Sequence, residues 1–253
     1  MRRAVFNQKG GVGKTTITCN LAAVGASLGK KILVVDLDPQ CNATQYLLGK
    51  SPESKDGTLS EYFNDLLYSF FGSKKVDSYI VETPFKNLYL IQSHPELGEL
   101  ESKLEHRYKM YKLKEALASL DTFDDIYMDT PPALNFYSRS ALIAADACLI
   151  PFDCDAFSRH ALYSLMGNIN EIRADHNPTL KVEGIIANQY MDRAKLPKQI
   201  VEDLQTEGHP VFDTKLSVSV KVRESHESSK PLVFMEPNHK TAKEYIALYS
   251  ELS

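Results

Sequence analysis

This 253-residue chain is notable first for what it lacks. No apolar run approaches the ~20 residues a helix needs to cross a bilayer, which argues against a membrane-spanning protein. The first residues pass at once into a strand and leave no room for a signal peptide. Cysteine is scarce. The four, Cys19, Cys41, Cys148 and Cys154, show no C-x-x-C spacing, so reduced thiols in a cytoplasmic protein are expected rather than disulfides or a metal cluster. The seven histidines form no H-E-x-x-H or similar pair, and no transition metal is assigned. Positive charge is not in excess either. A net charge of −4 argues against a uniformly basic nucleic-acid coat, although a local basic patch stays open. Internal repeats and a second domain are not discernible, and no helix-turn-helix precedes the first motif, so operator-specific repression is not expected. What is left, 43% hydrophobic and 25% charged residues, reads as a single globular α/β domain over 1–253.

What is present begins with Asn7-Gln8-Lys9-Gly10-Gly11-Val12-Gly13-Lys14-Thr15-Thr16. An apolar strand, Ala4-Val5-Phe6, enters it, and a helical pattern (Ile17, Leu21, Val24, Leu28, stopped by Gly29) leaves it. Glycines let backbone N–H groups face phosphate oxygens, and the helix dipole adds positive potential. Lys14 can reach β/γ-phosphates, and the Thr15 hydroxyl can sit on Mg²⁺. A purely structural glycine turn has little use for this pattern between a strand and a helix. The usual phosphate loop has glycine six residues before its lysine; here Gln8 stands there, and a second lysine, Lys9, lies inside the loop. A second ammonium is costly to bury unpaired. Its simplest partner is phosphate on another subunit, which implies a face-to-face dimer with nucleotide at the seam.

Ile32-Leu33-Val34-Val35 is a continuous apolar run, as in a strand covered on both faces, and it ends in Asp36-Leu37-Asp38-Pro39-Gln40. A parallel strand delivers such residues to the sheet's carboxyl edge, beside the phosphate loop. There one carboxylate can hold a Mg²⁺-bound water while the other orients the attacking water. Helix capping is an alternative for Asp38 alone, less so for the pair. Ile126-Tyr127-Met128-Asp129 is a second strand ending in an acid. Further strands are expected at 88–91, 147–151, 182–189 and 210–214, giving about seven in alternation with helices. The segment 59–71 reads as a packed helix, and 96–120 as a charged helical stretch with a solvated face. Asn188, at the end of its strand, has two readings: an amide that accepts from the adenine amino group and donates to N7, or a satisfied strand-end residue.

The runs KGGVGKTT, VVDLDPQ-NAT and YMDTPP resemble the deviant Walker A ATPases, specifically the ParA-type partition ATPases, along essentially the whole chain. The resemblance implies a doubly wound, mostly parallel α/β sheet flanked by helices. Its implied ligands are ATP and Mg²⁺: residues Lys9 to Thr16 and Asn188 hold nucleotide, and Thr15, Asp36 and Asp129 serve the metal. Asp38 is then catalytic alongside Lys9 and Lys14, and Asp155 lies near the dimer seam. Cys41 stands where that family usually has glycine, which leaves the flexibility of this turn open. The implied activity is slow ATP hydrolysis. A sandwich homodimer binds DNA without reading sequence, a ParB-like adaptor stimulates turnover, and the site of action is cytoplasmic and nucleoid-associated.

DNA contacts need Lys or Arg aimed at phosphates. The candidates lie late: Lys198, Lys221, Arg223, Lys230 and Lys240, with Lys195, Lys215 and Lys243. Strand-like alternation of Lys221-Val222-Arg223 puts both cations on one face. Where related ATPases often carry Ile-Pro-Arg, this chain has Leu216-Ser217-Val218. Two alternatives stand beside this reading. One resembles the MinD-type membrane-associated ATPases, but the terminal segment 242–253 is too acidic for an anionic membrane and reads better as packed on the sheet. The other is a metabolic ATPase on the same scaffold, such as an amide-forming enzyme, for which no substrate site is apparent.

Overall fold

The structure is a computed structural model that describes residues 1–69, 74–154, 158–191 and 193–252. Phe71, at the end of one expected helix, and Asp155 lie outside the described residues. Seven strands form one sheet: β1 (Arg2–Val5), β2 (Ile32–Asp36), β3 (Ile80–Glu82), β4 (Leu88–Ile91), β5 (Asp125–Asp129), β6 (Ala147–Asp153) and β7 (Lys181–Asn188). Their order is β3-β4-β2-β5-β1-β6-β7, with β3 antiparallel to β4 and every other pair parallel.

The helices are α1 (Lys14–Ser27), α2 (Asn42–Leu48), α3 (Leu59–Tyr68), α4 (Leu97–His106), α5 (Lys112–Leu117) and α6 (Phe136–Ala144). They continue with α7 (Ser158–Asp175), α8 (Lys195–Thr206), α9 (Val220–Glu227), α10 (Leu232–Met235) and α11 (Lys240–Glu251). All of β2 is buried, yet its side chains divide by parity. Leu33 and Val35 join the apolar layer that contains α3 to α7, while Ile32 and Val34 join the layer of α1, α2, α10 and α11. Period-two alternation between two buried faces explains why the strand reads as continuously apolar.

Two expectations are corrected. Residues 210–214 form no strand: Val211 makes a single parallel bridge to Ile185, and the seventh strand is the short β3 at the opposite edge. The 209–217 segment instead seals β7, with the Phe212 ring lying where a Cβ on Gly184 would sit, 2.2 Å away. The 96–120 stretch is not one solvated helix. It breaks between α4 and α5, where Tyr108 takes the left-handed conformation (φ 54°), and its leucines 97, 100, 104, 113 and 117 are buried. The end of the chain packs as expected: Ala242, Tyr245 and Leu248 are fully covered in the layer that joins α1 to the sheet, and the Tyr249 hydroxyl donates to Asp125 of β5 at 3.2 Å. Gly25 in α1 leaves room for the Tyr249 hydroxyl, 2.8 Å from where its Cβ would be. Among the described residues no helix is long and apolar enough to cross a membrane.

Adding a methyl at Gly184 overpacks the Phe212 contact. Gly184→Ala is therefore expected to destabilise the fold by about 1–3 kcal/mol, read as a lower urea midpoint with an unchanged m-value.

Candidate functional site

The strand order reverses at β1, which lies between β5 and β6, and the chain leaving its carboxyl end opens into the crevice that such a switch point creates. Residues 7–13 curl there. Gly11 (φ 77°) and Gly13 (φ 88°) are left-handed, and a Cβ on Gly13 would also meet the Asn188 amide nitrogen at 2.3 Å, so only glycine serves at position 13. Gly13 is the N-cap of α1 and has no side-chain cap, so the loop presents backbone amides at a helix N-terminus without a competing oxygen. Lys9 N–H donates to Asn7 Oδ1 (2.9 Å), and Asn7 Nδ2 donates to the Pro151 carbonyl at 2.7 Å, which pins the loop's entry to β6.

Lys14, the first residue of α1, is nearly buried and donates to the Lys9 carbonyl at 3.1 Å. Burial lowers its pKa, opposed by Asp129 and Asp38. Parallel pairing sets Asp129 beside both Val5 and Asp36 at the ends of their strands. Asp129 is fully buried; it accepts from the Thr15 hydroxyl at 2.7 Å and from Thr18 at 3.4 Å. Asp36 is also fully buried and does not face the cleft. One of its oxygens accepts from the Thr44 N–H (2.8 Å) and hydroxyl (2.7 Å), the other from the Asp38 N–H (3.1 Å). Both of its oxygens are thus engaged by the turn and by the first residues of α2. Asp38 lines the cleft, and its carboxylate accepts from Gln40 N–H at 3.0 Å. Ser93 closes this unit by donating its hydroxyl to the Asp38 carbonyl (2.6 Å) and its N–H to Thr44 (3.0 Å).

Burial raises all three carboxylates: Asp36 to about 7, Asp38 against the opposing pull of the Gln40 N–H and Lys14, and Asp129 well above its usual range with Asp36 adding repulsion. Lys14 is the cation that opposes Asp38 and Asp129. Among the described residues no three Asp, Glu, His or Cys side chains are grouped as a metal cage. Mg²⁺ does not need one, because it keeps several waters and takes one or two protein oxygens plus substrate phosphates. Thr15 with Asp129 behind it, on an edge short of positive charge, fits that requirement.

Cys41 takes the conformation glycine would supply, φ 57°, as the N-cap of α2. A left-handed non-glycine residue costs roughly 1 kcal/mol; it is held by Cys41 N–H to the Asp38 carbonyl (2.9 Å) and by Gln45 N–H to the Cys41 carbonyl (2.9 Å). Burial pushes the Cys41 thiol up to about 11.

The remaining candidates divide. Lys9 is not a buried orphan: its side chain is 40% exposed and lies 3.5 Å from Asp153 at the end of β6. Asn188 Nδ2 donates to the Val12 carbonyl (2.8 Å) and Gln189 Nε2 to the Gly11 carbonyl (3.0 Å), so both brace the loop. Asn188 also lines a second recess of about 310 Å³ with Ser217, Val218, Ser219 and Arg223. Lys221 and Arg223 lie on helix α9, where a spacing of two places them on different faces, and the alternation argument fails. Lys221 pairs with Glu224 (2.8 Å) and Glu236 (3.2 Å), Lys198 with Glu202 (3.8 Å), and Lys240 with Glu244 (3.5 Å). Arg223 and Lys230 are exposed.

The largest cleft at the loop, about 560 Å³, is lined by Gly10, Gly11, Gly13 to Thr16, Asp38 and Asn42, and also by residues without a motif: Gln45, Tyr46, His226 and Glu227. His226 lies 2.9 Å from the Thr16 hydroxyl and stacks on Tyr46 (centroids 3.9 Å apart, 15° between planes). Burial lowers its pKa. It sits in a polar helical stretch with no motif, and nothing in the sequence marks it.

A family model described as "AAA domain" matches residues 3–182. The chain is similar to the chromosome partitioning protein ParA of Myxococcus xanthus, 32% identical over 98% of this chain and 86% of that protein. It is likewise similar to the sporulation initiation inhibitor protein Soj of Bacillus subtilis, 31% identical over 99% and 97%. Among solved structures it resembles cobyrinic acid a,c-diamide synthase from Mycobacterium smegmatis with bound ATP analogue and magnesium. That match has a TM-score of 0.83 and 26% identity over 98% of this chain and 92% of that one.

The acid-rich edge gives a signed expectation. A carboxyl whose pKa is raised on folding binds more protons folded than unfolded, so stability falls as pH rises from about 4 through about 7. Asp129→Asn, which keeps the shape and can still bond Thr15, should raise the melting temperature of the nucleotide-free protein at pH 7, because burial disfavours the charged form. The gain should vanish near pH 4, and scanning calorimetry across that range reads it.

Proposed function

Because the chain belongs to the ParA-type partition ATPases of the MinD–ParA family of P-loop proteins, we propose that it is an ATP-driven positioning switch. In this reading ATP and Mg²⁺ bring two chains face to face, and the dimer binds DNA without reading sequence. A ParB-like adaptor then stimulates hydrolysis, which releases the DNA and so segregates or positions a plasmid, chromosome or protein cargo. The observation that carries this reading is the convergence of Lys14, the Thr15–Asp129 pair and Asp38 at one edge of the sheet.

Each residue takes a role from its position. The amides of Gly10 to Thr16 and the Val12–Gly13 turn cradle phosphates, and Lys14 exchanges the Lys9 carbonyl for β/γ-phosphate oxygens. Thr15 and Asp129 hold Mg²⁺, whose bound charge lowers the cost of charge on the transferring phosphoryl group. Asp36 acts behind them by fixing Thr44 and the Asp38 backbone. Asp38 orients the attacking water: its oxygen bonds to the γ-phosphorus as the bond to the β-phosphate oxygen breaks, leaving ADP and phosphate. Lys9 leaves its exposed pairing with Asp153 for the partner's phosphates. Asn188 braces the loop from the side of the recess that suits the adenine.

For DNA the five late cations stay candidates: Arg223 and Lys230 are exposed, and Lys198, Lys221 and Lys240 face carboxylates of their own chain in exposed pairs that a phosphate can displace. A terminal helix with two lysines balanced by two glutamates, and with its apolar face packed into the α1 layer, supports a nucleoid-bound rather than membrane-bound cycle.

Two measurements test this. Lys9→Ala should abolish ATP-dependent dimerisation in light scattering while single chains still bind nucleotide; a variant that dimerises normally would remove the cross-subunit role. Duplex DNA of random sequence should alter steady-state hydrolysis at low salt, and the effect should fade steeply as salt rises. Stimulation by anionic vesicles, or turnover dependent on a small carboxylic acid and an ammonia donor, would overturn the DNA reading.

A further inference from the structure

His226 ties three elements that no motif connects. Its Nε2 lies 2.9 Å from the hydroxyl of Thr16, in the first turn of α1 and part of the phosphate loop. Its ring covers that of Tyr46 on α2, the helix whose first residues are fixed to Asp36 and Asp38. Its neighbour Ser225 exchanges a 2.7 Å hydrogen bond with the Tyr46 hydroxyl, which also accepts from Asn20 of α1 at 3.1 Å. Asn20 in turn accepts from the Leu232 N–H at the start of α10 (2.8 Å). Tyr46, Asn20 and Ser225 are all buried, so each polar atom that loses its partner is left without water to replace it. The outer side of the same helix carries Arg223, exposed and lining the recess beside Gly11 and Gly13.

We propose that His226 is a positioning residue that couples occupancy of the phosphate loop to α9 and α10, so that bound nucleotide fixes the helix bearing Arg223. Phosphate on the loop amides immobilises the first turn of α1. Thr16 then holds His226 better, and α2, clamped through Tyr46, holds Ser225. The inference rests on the nucleotide reading of the loop, which the same experiment tests separately.

The test compares the native chain with His226→Phe, which keeps the stack on Tyr46 and loses the bond to Thr16, and with His226→Gln, which restores a side chain able to bond Thr16. Amide hydrogen exchange is followed over residues 220–235 with and without Mg·ADP, and ADP affinity is measured by calorimetry. In the native chain ADP should slow exchange there by about fivefold or more, the lower end of site–site couplings. His226→Phe should lose most of that slowing, and ADP affinity should fall with it, because the loop no longer draws on α9. His226→Gln should recover part of both. If the native chain binds no ADP, the nucleotide reading fails and takes this inference with it. If ADP binds but exchange at 220–235 is indifferent to it, or responds equally in His226→Phe, the coupling is refuted and the nucleotide reading stands.

Discussion

Three carboxylates gathered at one end of a parallel sheet, with Lys14 as the ammonium set against Asp38 and Asp129, are the constraint around which this protein is built. Asp36 and Asp129 are paired in register on adjacent strands and fully buried, so neither can be relieved by water. Hydrogen bonds from Thr15, Thr18 and Thr44 offset part of the desolvation, but the acids still sit above their ordinary range. A fold that needed only stability would replace them. Here the deficit of positive charge stands next to a loop of amides shaped for phosphate, and a dication carried in on a triphosphate answers it. The free energy withheld from the nucleotide-free fold is available to binding, as expected where a site is poised for a ligand.

The division of labour follows from this. The sheet is the rigid part, with two apolar layers on either side fixing where each strand ends. The parts that can respond are short. Helix α2, seven residues long, begins at a left-handed cysteine and is tied to the acids by Thr44 and to α9 by Tyr46. Lysines 9 and 14 have interim partners, a carboxylate at the end of β6 and a carbonyl of the loop. Both contacts are at least partly solvent-accessible or neutral, and a phosphate can displace either at modest cost.

Most of the fold and the heart of the site were legible in the sequence. Six of the seven strands stand out as apolar runs, β2 and β5 the more so for ending in aspartate, and the loop stands out because its glycines and lysines between a strand and a helix have few other meanings in an α/β chain. The misread places share a cause. Residues 210–214 have strand-like composition, yet they lie on Gly184 through Phe212 and make only one bridge; composition does not say whether a neighbour has a free edge. Lys221 and Arg223 were read with a period of two when a Ser219 cap starts a helix there. Lys9 was taken as unpaired because Asp153 is 144 residues away in sequence and joins it only through the β1–β6 pairing.

The sequence by itself determined the alternation of strands and helices, the phosphate loop and the acids at the strand ends, because each is a local pattern whose chemistry is carried by neighbouring residues. Only the tertiary structure decided which acid faces the cleft and which supports it from behind, which lysines keep their charge exposed, and that His226 touches the loop at all. Those outcomes depend on pairs more than a hundred residues apart, or on which side of a buried strand end a carboxylate falls. No local spacing encodes them, since strand order and helix packing choose the partners.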